Sequence, residues 1–309
     1  MSSDEKILKL SQSRLSVIND CLGMYKMGYV DKLAVPKVVW STTVFGDVIH
    51  EMIDQFLTKY QEDFAFAASV EKMKQRGKIS IPVDRLRELG ITAAATFERV
   101  KNEYKDKNTK IAFSRKFPEK DFLNTLDAWA PQLVKFVARF FDLTKKFENE
   151  KEFDVQAQEL LETKFPVRLV GVYDHKRERE IIDFKTTTKP ERFFFIDWEK
   201  NNQSTMYACS FKIEEGRWPD SFSYVVFNVL ENMIFVTSKS YSPKELESAR
   251  VSVRDSVINA REKIEVCDDV KLWSPTQEKC TWCDYCLVCP ASALTAKKNR
   301  QDMLKKIRI

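Results

Sequence analysis

Residues 171–189, GVYDHKREREIIDFKTTTK, decide the fold of this chain. Two short apolar segments flank a run of charged residues, which predicts adjacent strands joined by a turn. Asp174 ends the first segment, whereas Asp183 lies within the second and is followed two positions later by Lys185. Because alternate side chains of a strand share a face, we expect Asp183 and Lys185 to project together while Phe184 packs on the opposite side.

These three polar side chains suit a particular chemistry. Two carboxylates at the ends of adjacent strands can bind Mg²⁺ or Mn²⁺ through oxygen ligands. Lys185, beside them, can orient or help deprotonate an attacking water and offset charge that builds on a phosphate. Taken alone, the Asp-x-Lys pattern is also what a charged strand edge with a surface ion pair would give.

The periodicity of apolar residues organises the rest of the chain. It predicts helices over 12–28, 44–60, 121–147, 200–212 and 243–265. Short apolar runs predict strands over 153–161, 166–173, 180–186, 222–230 and 233–240. Strands flanked by helices indicate an α/β fold. We divide the chain into a helical part (1–60), a basic helical insertion (61–150), an α/β core (151–266) and a cysteine-rich segment with a basic helix (267–309).

Charge is unevenly distributed along the 309 residues, whose net charge is +5. Residues 72–120 carry a surplus of +8 and residues 291–309 a surplus of +5, so the remainder is acidic. Basic segments beside an acidic body fit a polyanion groove next to a cation site, although solvated helix faces would give the same surplus. No apolar run approaches the length of a membrane span, and MSSDEKILKL does not resemble a signal peptide. We therefore expect a soluble, cytoplasmic protein.

The cysteines are concentrated near the carboxyl end. Of seven in the chain, Cys280, Cys283, Cys286 and Cys289 fall within ten residues. In a chain without a secretion signal, such crowding indicates a metal or an iron-sulfur cluster and not disulfides. The spacing alone leaves two arrangements open, in which either all four bind one centre or Cys280, Cys283 and Cys289 recruit a distant fourth ligand.

The order of the polar motifs resembles the RecB-like nuclease domains of the PD-(D/E)XK superfamily. Their pattern of His, G-x-x-D, D-x-K-T and Q-x-x-x-Y matches FGDVIHEMID, GVYD, IIDFKT and QSTMY here. The resemblance implies a restriction-endonuclease-like core with a central mixed β-sheet flanked by helices. It also implies a metal site at His50, Asp174 and Asp183, with catalytic roles for Asp174, Asp183, Lys185, Gln203 and Tyr207. An upstream glutamate is common in the family, and Glu159 or Glu162 could serve.

Residues 11–30, SQSRLSVINDCLGMYKMGYV, resemble the N-terminal element of iron-sulfur nucleases, among them CRISPR-associated RecB-like exonucleases and the AddB nuclease. Leu22 stands where those relatives have proline. In them, one N-terminal and three C-terminal cysteines clamp a 4Fe-4S cluster, which implies Cys21, Cys280, Cys283 and Cys289 as ligands here. Cys286 in place of Cys21, or zinc in place of the cluster, are the alternatives.

The sequence therefore predicts a metal-dependent DNA nuclease, by expectation an exonuclease acting in replication, recombination or repair. Its expected partners are single-stranded DNA or duplex ends, and a helicase or recombination protein. The alternative is a catalytically inactive iron-sulfur or zinc module that binds nucleic acid and assists a helicase or recombinase. We expect no membrane association.

Overall fold

A computed structural model describes residues 7–113, 118–143, 147–187, 202–229, 231–273 and 275–306. The strands are β1 (Leu8–Leu10), β2 (Lys37–Trp40), β3 (Thr109–Ala112), β4 (Phe147–Gln156), β5 (Val167–Arg177), β6 (Glu180–Thr187), β7 (Ser221–Asn228) and β8 (Met233–Ser240). The helices are α1 (Gln12–Asp20), α2 (Leu22–Tyr25), α3 (Ser41–Glu62), α4 (Phe64–Gln75), α5 (Val83–Glu88), α6 (Ala93–Asp106), α7 (Glu119–Phe140), α8 (Gln158–Leu161), α9 (Asn202–Glu215), α10 (Pro243–Glu265), α11 (Gln277–Trp282) and α12 (Leu294–Lys306).

Within the described residues, six strands form one mixed sheet in the order β1-β5-β6-β7-β8, with β4 also paired to β5. β6 and β7 are parallel, whereas β4, β6 and β8 run antiparallel to their neighbours β5, β5 and β7. β5 pairs with β6 at His175 and Lys176, and with β1 at residues 167–169. The sheet is therefore forked between β5 and β6, and the fork opens directly before His175.

Each face of the sheet is covered by helices, because alternate strand residues are apolar on both sides. Ile182, Phe184 and Phe227 point into a core shared with α3, α4, α6 and α7. Ile181 and Phe222 point into a second core on the opposite face, which α1, α9 and α10 cover. The mixed sheet with helices on both faces is the α/β architecture predicted from the sequence. Helices of the 61–150 segment thus share a core with α3, while the division into four segments stays a prediction.

Some element boundaries differ from the sequence prediction. The strand predicted over 153–161 begins at Phe147 and ends at Gln156, and α8 follows it. Its first half, FENEKE, is charged and half-exposed at the edge of the sheet, so hydrophobic alternation did not reveal it. The short parallel pair β2 and β3 was not predicted either.

The helix predicted over 12–28 is interrupted. Cys21 has extended backbone angles between α1 and α2, and a π-helical turn, Lys26–Val30, follows. Gly23 lies against the indole of Trp273, where a Cβ atom would come within 2.3 Å of a ring carbon. Close packing on the cysteine-rich segment thus accompanies the break. The helix predicted over 121–147 extends from Glu119 to Phe140. Residues 144–146, 200, 201 and 230, which belong to predicted elements, lie outside the described residues. No described helix has the length and hydropathy needed to cross a membrane.

Candidate active site

Asp174 lies at the fork between β5 and β6. Its Oδ2 accepts a 2.7 Å hydrogen bond from the backbone N–H of Phe184 on β6. On β5 and β6, His175 pairs with Ile182 and Lys176 pairs with Ile181. Beyond His175 the two strands separate, so the N–H of Phe184 is free to bind a side chain. Burial raises the pKa of Asp174 to about 6, although this hydrogen bond and the charge of Lys185 act in the opposite direction.

His50 binds the other backbone group of the same residue. Its Nε2 lies 3.0 Å from the carbonyl oxygen of Phe184, and its Nδ1 lies 3.8 Å from Asp174 Oδ2. Because a carbonyl oxygen can only accept, the hydrogen bond requires the proton on Nε2 and leaves a lone pair on Nδ1. Burial lowers the pKa of His50, which favours this neutral form. The imidazole therefore presents a metal-binding nitrogen toward Asp174.

Glu150 is the residue that sequence reasoning missed. It lies in β4 between Asn149 and Lys151, which pair with His175 and Tyr173, so it stands opposite Asp174. Its φ of 43° is in the left-handed region, which is costly for a residue with a Cβ atom. The pKa of Glu150 is raised to about 8 by partial enclosure and by neighbouring carboxylates, of which Asp174 contributes most.

The glutamates suggested from sequence lie elsewhere. Glu159 is exposed in α8, and Glu162 forms ion pairs with Arg250 and Arg254 at 3.3 and 3.9 Å. His175, which follows Asp174, is fully buried, and its Nδ1 lies 2.6 Å from Asn149 Oδ1. Burial lowers the pKa of His175 to about 3, so this ring is neutral and packs as part of the core.

His50, Glu150 and Asp174 each offer one ligand atom, and these three atoms lie within 4.8 Å of one another. An imidazole nitrogen and two carboxylate oxygens form a donor set that suits Mn²⁺ or, with added water, Mg²⁺. Of the three ligands predicted from sequence, the structure thus brings His50 and Asp174 into one group and adds Glu150. Asp183 is not in that group.

Asp183 is buried beside the group, with 1% of its surface exposed. Gln203 Nε2 donates to its Oδ1 at 2.6 Å, and Lys185 Nζ lies 2.6 Å from its Oδ2. Within the described residues, Oδ2 forms this ion pair but receives no hydrogen bond of normal geometry. Burial and the negative charge of Asp174 raise the pKa of Asp183 to about 7, against the effect of Lys185. A bound cation would stabilise the ionised form of such a carboxylate.

Residues of α9 and β7 hold the Asp183 side chain in place. Gln203 and Tyr207, one turn apart on α9, lie 3.4 Å from each other, and the Tyr224 hydroxyl donates to Gln203 Oε1 at 3.4 Å. Lys185 Nζ lies 5.5 Å from the centre of the Tyr224 ring. Of the five side chains with predicted catalytic roles, Asp174 lies at the fork, Lys185 and Gln203 contact Asp183, and Tyr207 contacts Gln203.

A cavity of about 330 Å³ opens beside His50 and Glu150. Among the described residues, acidic side chains dominate its wall and Lys107 is the one cationic side chain; the lining residues are Asp47, His50, Glu51, Val100, Glu103, Tyr104, Lys107 and Glu150. The Tyr104 hydroxyl donates to Asp47 in this wall. A cavity of about 670 Å³ near residues 176–180 shares no lining residue with the site.

Comparison with known families decides the class of protein. The sequence model of the PD-(D/E)XK nuclease superfamily matches residues 9–290. The chain belongs to this superfamily. This PD-(D/E)XK protein is therefore a nuclease, and the predicted restriction-endonuclease-like fold is confirmed. Enzymes of the superfamily typically use divalent metal ions, with which the grouping of His50, Glu150 and Asp174 agrees.

Solved structures similar to this PD-(D/E)XK nuclease are distant in sequence. A protein of Eubacterium rectale described as a candidate exonuclease is 9% identical, with a TM-score of 0.49, and the match covers 83% of this chain and 81% of that one. The protein SSO0001 is 11% identical, with a TM-score of 0.30 and coverage of 88% and 95%. No curated protein matches the chain. The assignment to the superfamily rests on the family model.

Four of the cysteines lie in α11 and in the loop that follows it. Cys280 ends the first turn of α11, and Cys283, Cys286 and Cys289 lie in the loop between α11 and α12. Burial raises the pKa of Cys280, Cys283 and Cys289, and the neighbouring Cys21 thiol raises each of them further. Cys286 Sγ lies 3.2 Å from the Ser292 hydroxyl. Cys21 is thus near Cys280, Cys283 and Cys289.

Proposed function

We propose that this nuclease hydrolyses phosphodiester bonds of DNA with Mg²⁺ or Mn²⁺ bound by His50, Glu150, Asp174 and Asp183. The observation that carries the proposal is the convergence of three of these ligands within 4.8 Å beside the buried, incompletely hydrogen-bonded Asp183. When bound, the cation would polarise the scissile phosphate and lower the pKa of a water molecule. His50, Asp174 and Asp183 come from the sequence prediction, and Glu150 is added from the structure.

Lys185 is suited to act on the phosphate. Its side chain is 39% exposed, whereas its partner Asp183 is buried, so the ammonium lies between the acidic site and solvent. From there it can donate hydrogen bonds to a phosphate oxygen or to a water molecule, and it offsets the negative charge that develops there. The 2.6 Å ion pair with Asp183 keeps the ammonium at this position in the absence of DNA.

Gln203 and Tyr207 are positioning residues in this proposal. The Gln203 amide donates to Asp183 Oδ1, while Oδ2 lies against Lys185 and would be available to a cation. Tyr207 packs within the core and contacts Gln203, so it restrains the amide. An amide that lies against a buried carboxylate fixes the carboxylate rotamer, which preserves ligand geometry.

An iron-sulfur cluster is the second part of the proposal, with Cys21, Cys280, Cys283 and Cys289 as ligands. A single tetrahedral zinc would hold its sulfurs about 3.8 Å apart, given Zn–S distances of about 2.3 Å. Among the described residues, no three cysteine sulfurs lie within 4.8 Å of one another. A 4Fe-4S cluster, in which each cysteine binds a separate iron, suits wider spacing. The cluster would join chain segments about 260 residues apart and thereby stabilise the fold.

The biological setting follows from the resemblance and is part of the same proposal. We infer an exonuclease that acts on single strands or duplex ends during replication, recombination or repair, alongside a helicase or recombination protein. The competing function is a module that binds nucleic acid without cutting it. A cleavage assay separates this module from a nuclease.

The test compares cleavage of end-labelled single- and double-stranded DNA with Mg²⁺, with Mn²⁺ and with EDTA. Lys185→Ala should reduce the rate at least about a hundredfold, because it removes a cation from the developing charge. Lys239→Ala is the matched control, since Lys239 forms a comparable ion pair with Glu245 away from the site. A Lys185→Ala protein that cuts at the unaltered rate, or an unaltered protein that never cuts, contradicts the proposal.

A further inference from the structure

The cysteine-rich segment exposes a large aromatic side chain. Trp282, which ends α11 between Cys280 and Cys283, is 55% exposed. Its ring lies edge-on to the half-buried Trp40, with ring centres 5.5 Å apart and an angle of 64° between the planes. Trp40 thus contacts one part of the Trp282 ring, most of which remains exposed. A rigid exposed indole is a surface on which another flat ring can stack.

This aromatic pair lies at the beginning of the helix that carries His50. Trp40 directly precedes α3, and ten residues of helix, about 15 Å, separate it from His50. Along the way, Gly46 lies so close to Thr186 that a Cβ atom would come within 2.8 Å of its hydroxyl. Thr186 follows Lys185 on β6. The first turns of α3 therefore connect the aromatic pair to the candidate active site.

The loop that holds Trp282 is tied to this region by more than ring contact. Asp284 Oδ1 accepts from the backbone N–H of Val38 on β2 at 3.3 Å and from the buried Arg300 of α12 at 2.6 Å. Arg300 also donates to the carbonyl oxygen of Trp282 at 3.3 Å. Val38, two residues before Trp40, and Arg300, which binds the Trp282 carbonyl, are therefore joined through one carboxylate, which restricts movement of Trp282 relative to α3.

Charge favours an approach of nucleic acid from this side. Lys110 is exposed and lies opposite Val38 in the β2–β3 pair, so it shares a face with Trp40. Lys297 lies one turn before Arg300 on α12 and is partly exposed. The cavity beside Glu150 is lined by Asp47, Glu51 and Glu103 and would repel phosphates.

We propose that the exposed face of Trp282 stacks an unpaired base of single-stranded DNA whose backbone lies along the first turns of α3 toward Lys185. The inference rests on the proposed nuclease site and specifies its substrate as a strand that is unpaired near the cleaved bond. At about 3.4 Å per stacked nucleotide, 15 Å corresponds to about four nucleotides, and fewer when the strand is extended. The stacked base is therefore about two to four nucleotides from the cleaved bond.

Binding is measured in EDTA by fluorescence anisotropy of a labelled thymidine oligonucleotide, so that the result does not depend on catalysis. Trp282→Ala should weaken binding about 5- to 150-fold, the range for loss of one stacked base. Trp282→Phe should retain most of the affinity, and blunt duplex should bind both variants equally. Phe64→Ala, which removes another exposed aromatic ring, is the control and should bind like the unaltered protein.

A second measurement begins with the unaltered protein, so its first result does not depend on how a variant folds. A single abasic site is moved along the oligonucleotide, and we expect one short window where it weakens binding and where Trp282→Ala has no additional effect. Equal affinity of Trp282→Ala and unaltered protein, or the absence of a sensitive position, overturns the inference. Tight binding without cleavage would contradict the proposed catalysis but leave the stacking site standing.

Discussion

The Asp174 carboxylate binds the backbone N–H of Phe184 at 2.7 Å across the fork between β5 and β6. The bond links a candidate ligand on one strand to the residue that follows another candidate ligand, Asp183, on the next strand. His50 binds the carbonyl group of the same peptide residue at 3.0 Å. One residue of β6 thus sets the positions of an imidazole and a carboxylate that come from distant parts of the sequence.

Asp174→Asn should separate catalysis from folding. The amide oxygen of Asn can still accept from Phe184, while the loss of a buried charge removes a ligand and lowers the cleavage rate at least about a hundredfold. In EDTA, thermal unfolding should occur at an unchanged or higher temperature, because burial disfavours the ionised carboxyl. A variant that cuts normally would remove Asp174 from the site.

Glu150→Gln should raise the metal concentration needed for half-maximal cleavage, because it removes one of three grouped ligands. Glu162→Gln is the matched control, since Glu162 pairs with Arg250 away from the site, and it should leave that concentration unchanged. Glu150→Gly removes the same ligand and should impair cleavage as much as Glu150→Gln does. Its free energy of unfolding should be unchanged or higher by up to about 1 kcal/mol, because glycine tolerates positive φ. An equal metal requirement in Glu150→Gln and Glu162→Gln contradicts the assignment.

The stabilising effect of Mg²⁺ should increase with pH. The pKa values of Asp174, Asp183 and Glu150 are raised to about 6, 7 and 8 in the folded protein. The folded state therefore binds more protons than the unfolded state from about pH 4 to pH 8, and metal-free stability falls as pH rises through this window. A cation needs ionised ligands, so its increment in unfolding temperature should be larger at pH 8.5 than at pH 6. Equal increments at the two pH values would argue against a carboxylate site.

Gln203→Leu should shift the pH dependence of cleavage toward higher pH. The substitution removes the 2.6 Å hydrogen bond to Asp183 and leaves the carboxylate less stabilised, so its pKa rises further. The acidic limb of the pH–rate profile should move up by about one pH unit or more. Tyr207→Phe, which removes a hydroxyl 3.4 Å from Gln203, should move it less. A purely structural role would lower the rate at every pH without moving the limb.

Cys21→Ser and Cys286→Ser should differ in iron content. Anaerobically purified protein should absorb near about 400 nm, a band that zinc lacks. The absorbance should be lost in Cys21→Ser, together with thermal stability, and kept in Cys286→Ser, whose sulfur lies against Ser292. The reverse result would assign the fourth ligand to Cys286, and zinc without iron would exclude the cluster.

Sequence reasoning succeeded where short-range geometry decides the arrangement. The strand period places Asp183 beside Lys185 and Phe184 in the opposite core, as the 2.6 Å ion pair and the burial of Phe184 confirm. Glu150 could not be found in this way, because its place depends on the register of β4 against β5 and on a left-handed backbone angle. The break at Cys21 is accompanied by packing of Gly23 against Trp273, a contact between segments remote in sequence that periodicity does not reveal.

The dual role of Asp284 bears on how far the protein can be shortened. Its carboxylate links β2, ahead of α3, to Arg300 in the final described helix, and the Arg300 side chain is 3% exposed. A protein cut back after the last cysteine would keep every proposed cluster ligand yet lose this guanidinium. Minimal versions of the enzyme should therefore retain the chain through Arg300, or the carboxylate that holds the strand before the His50 helix loses its buried cationic partner.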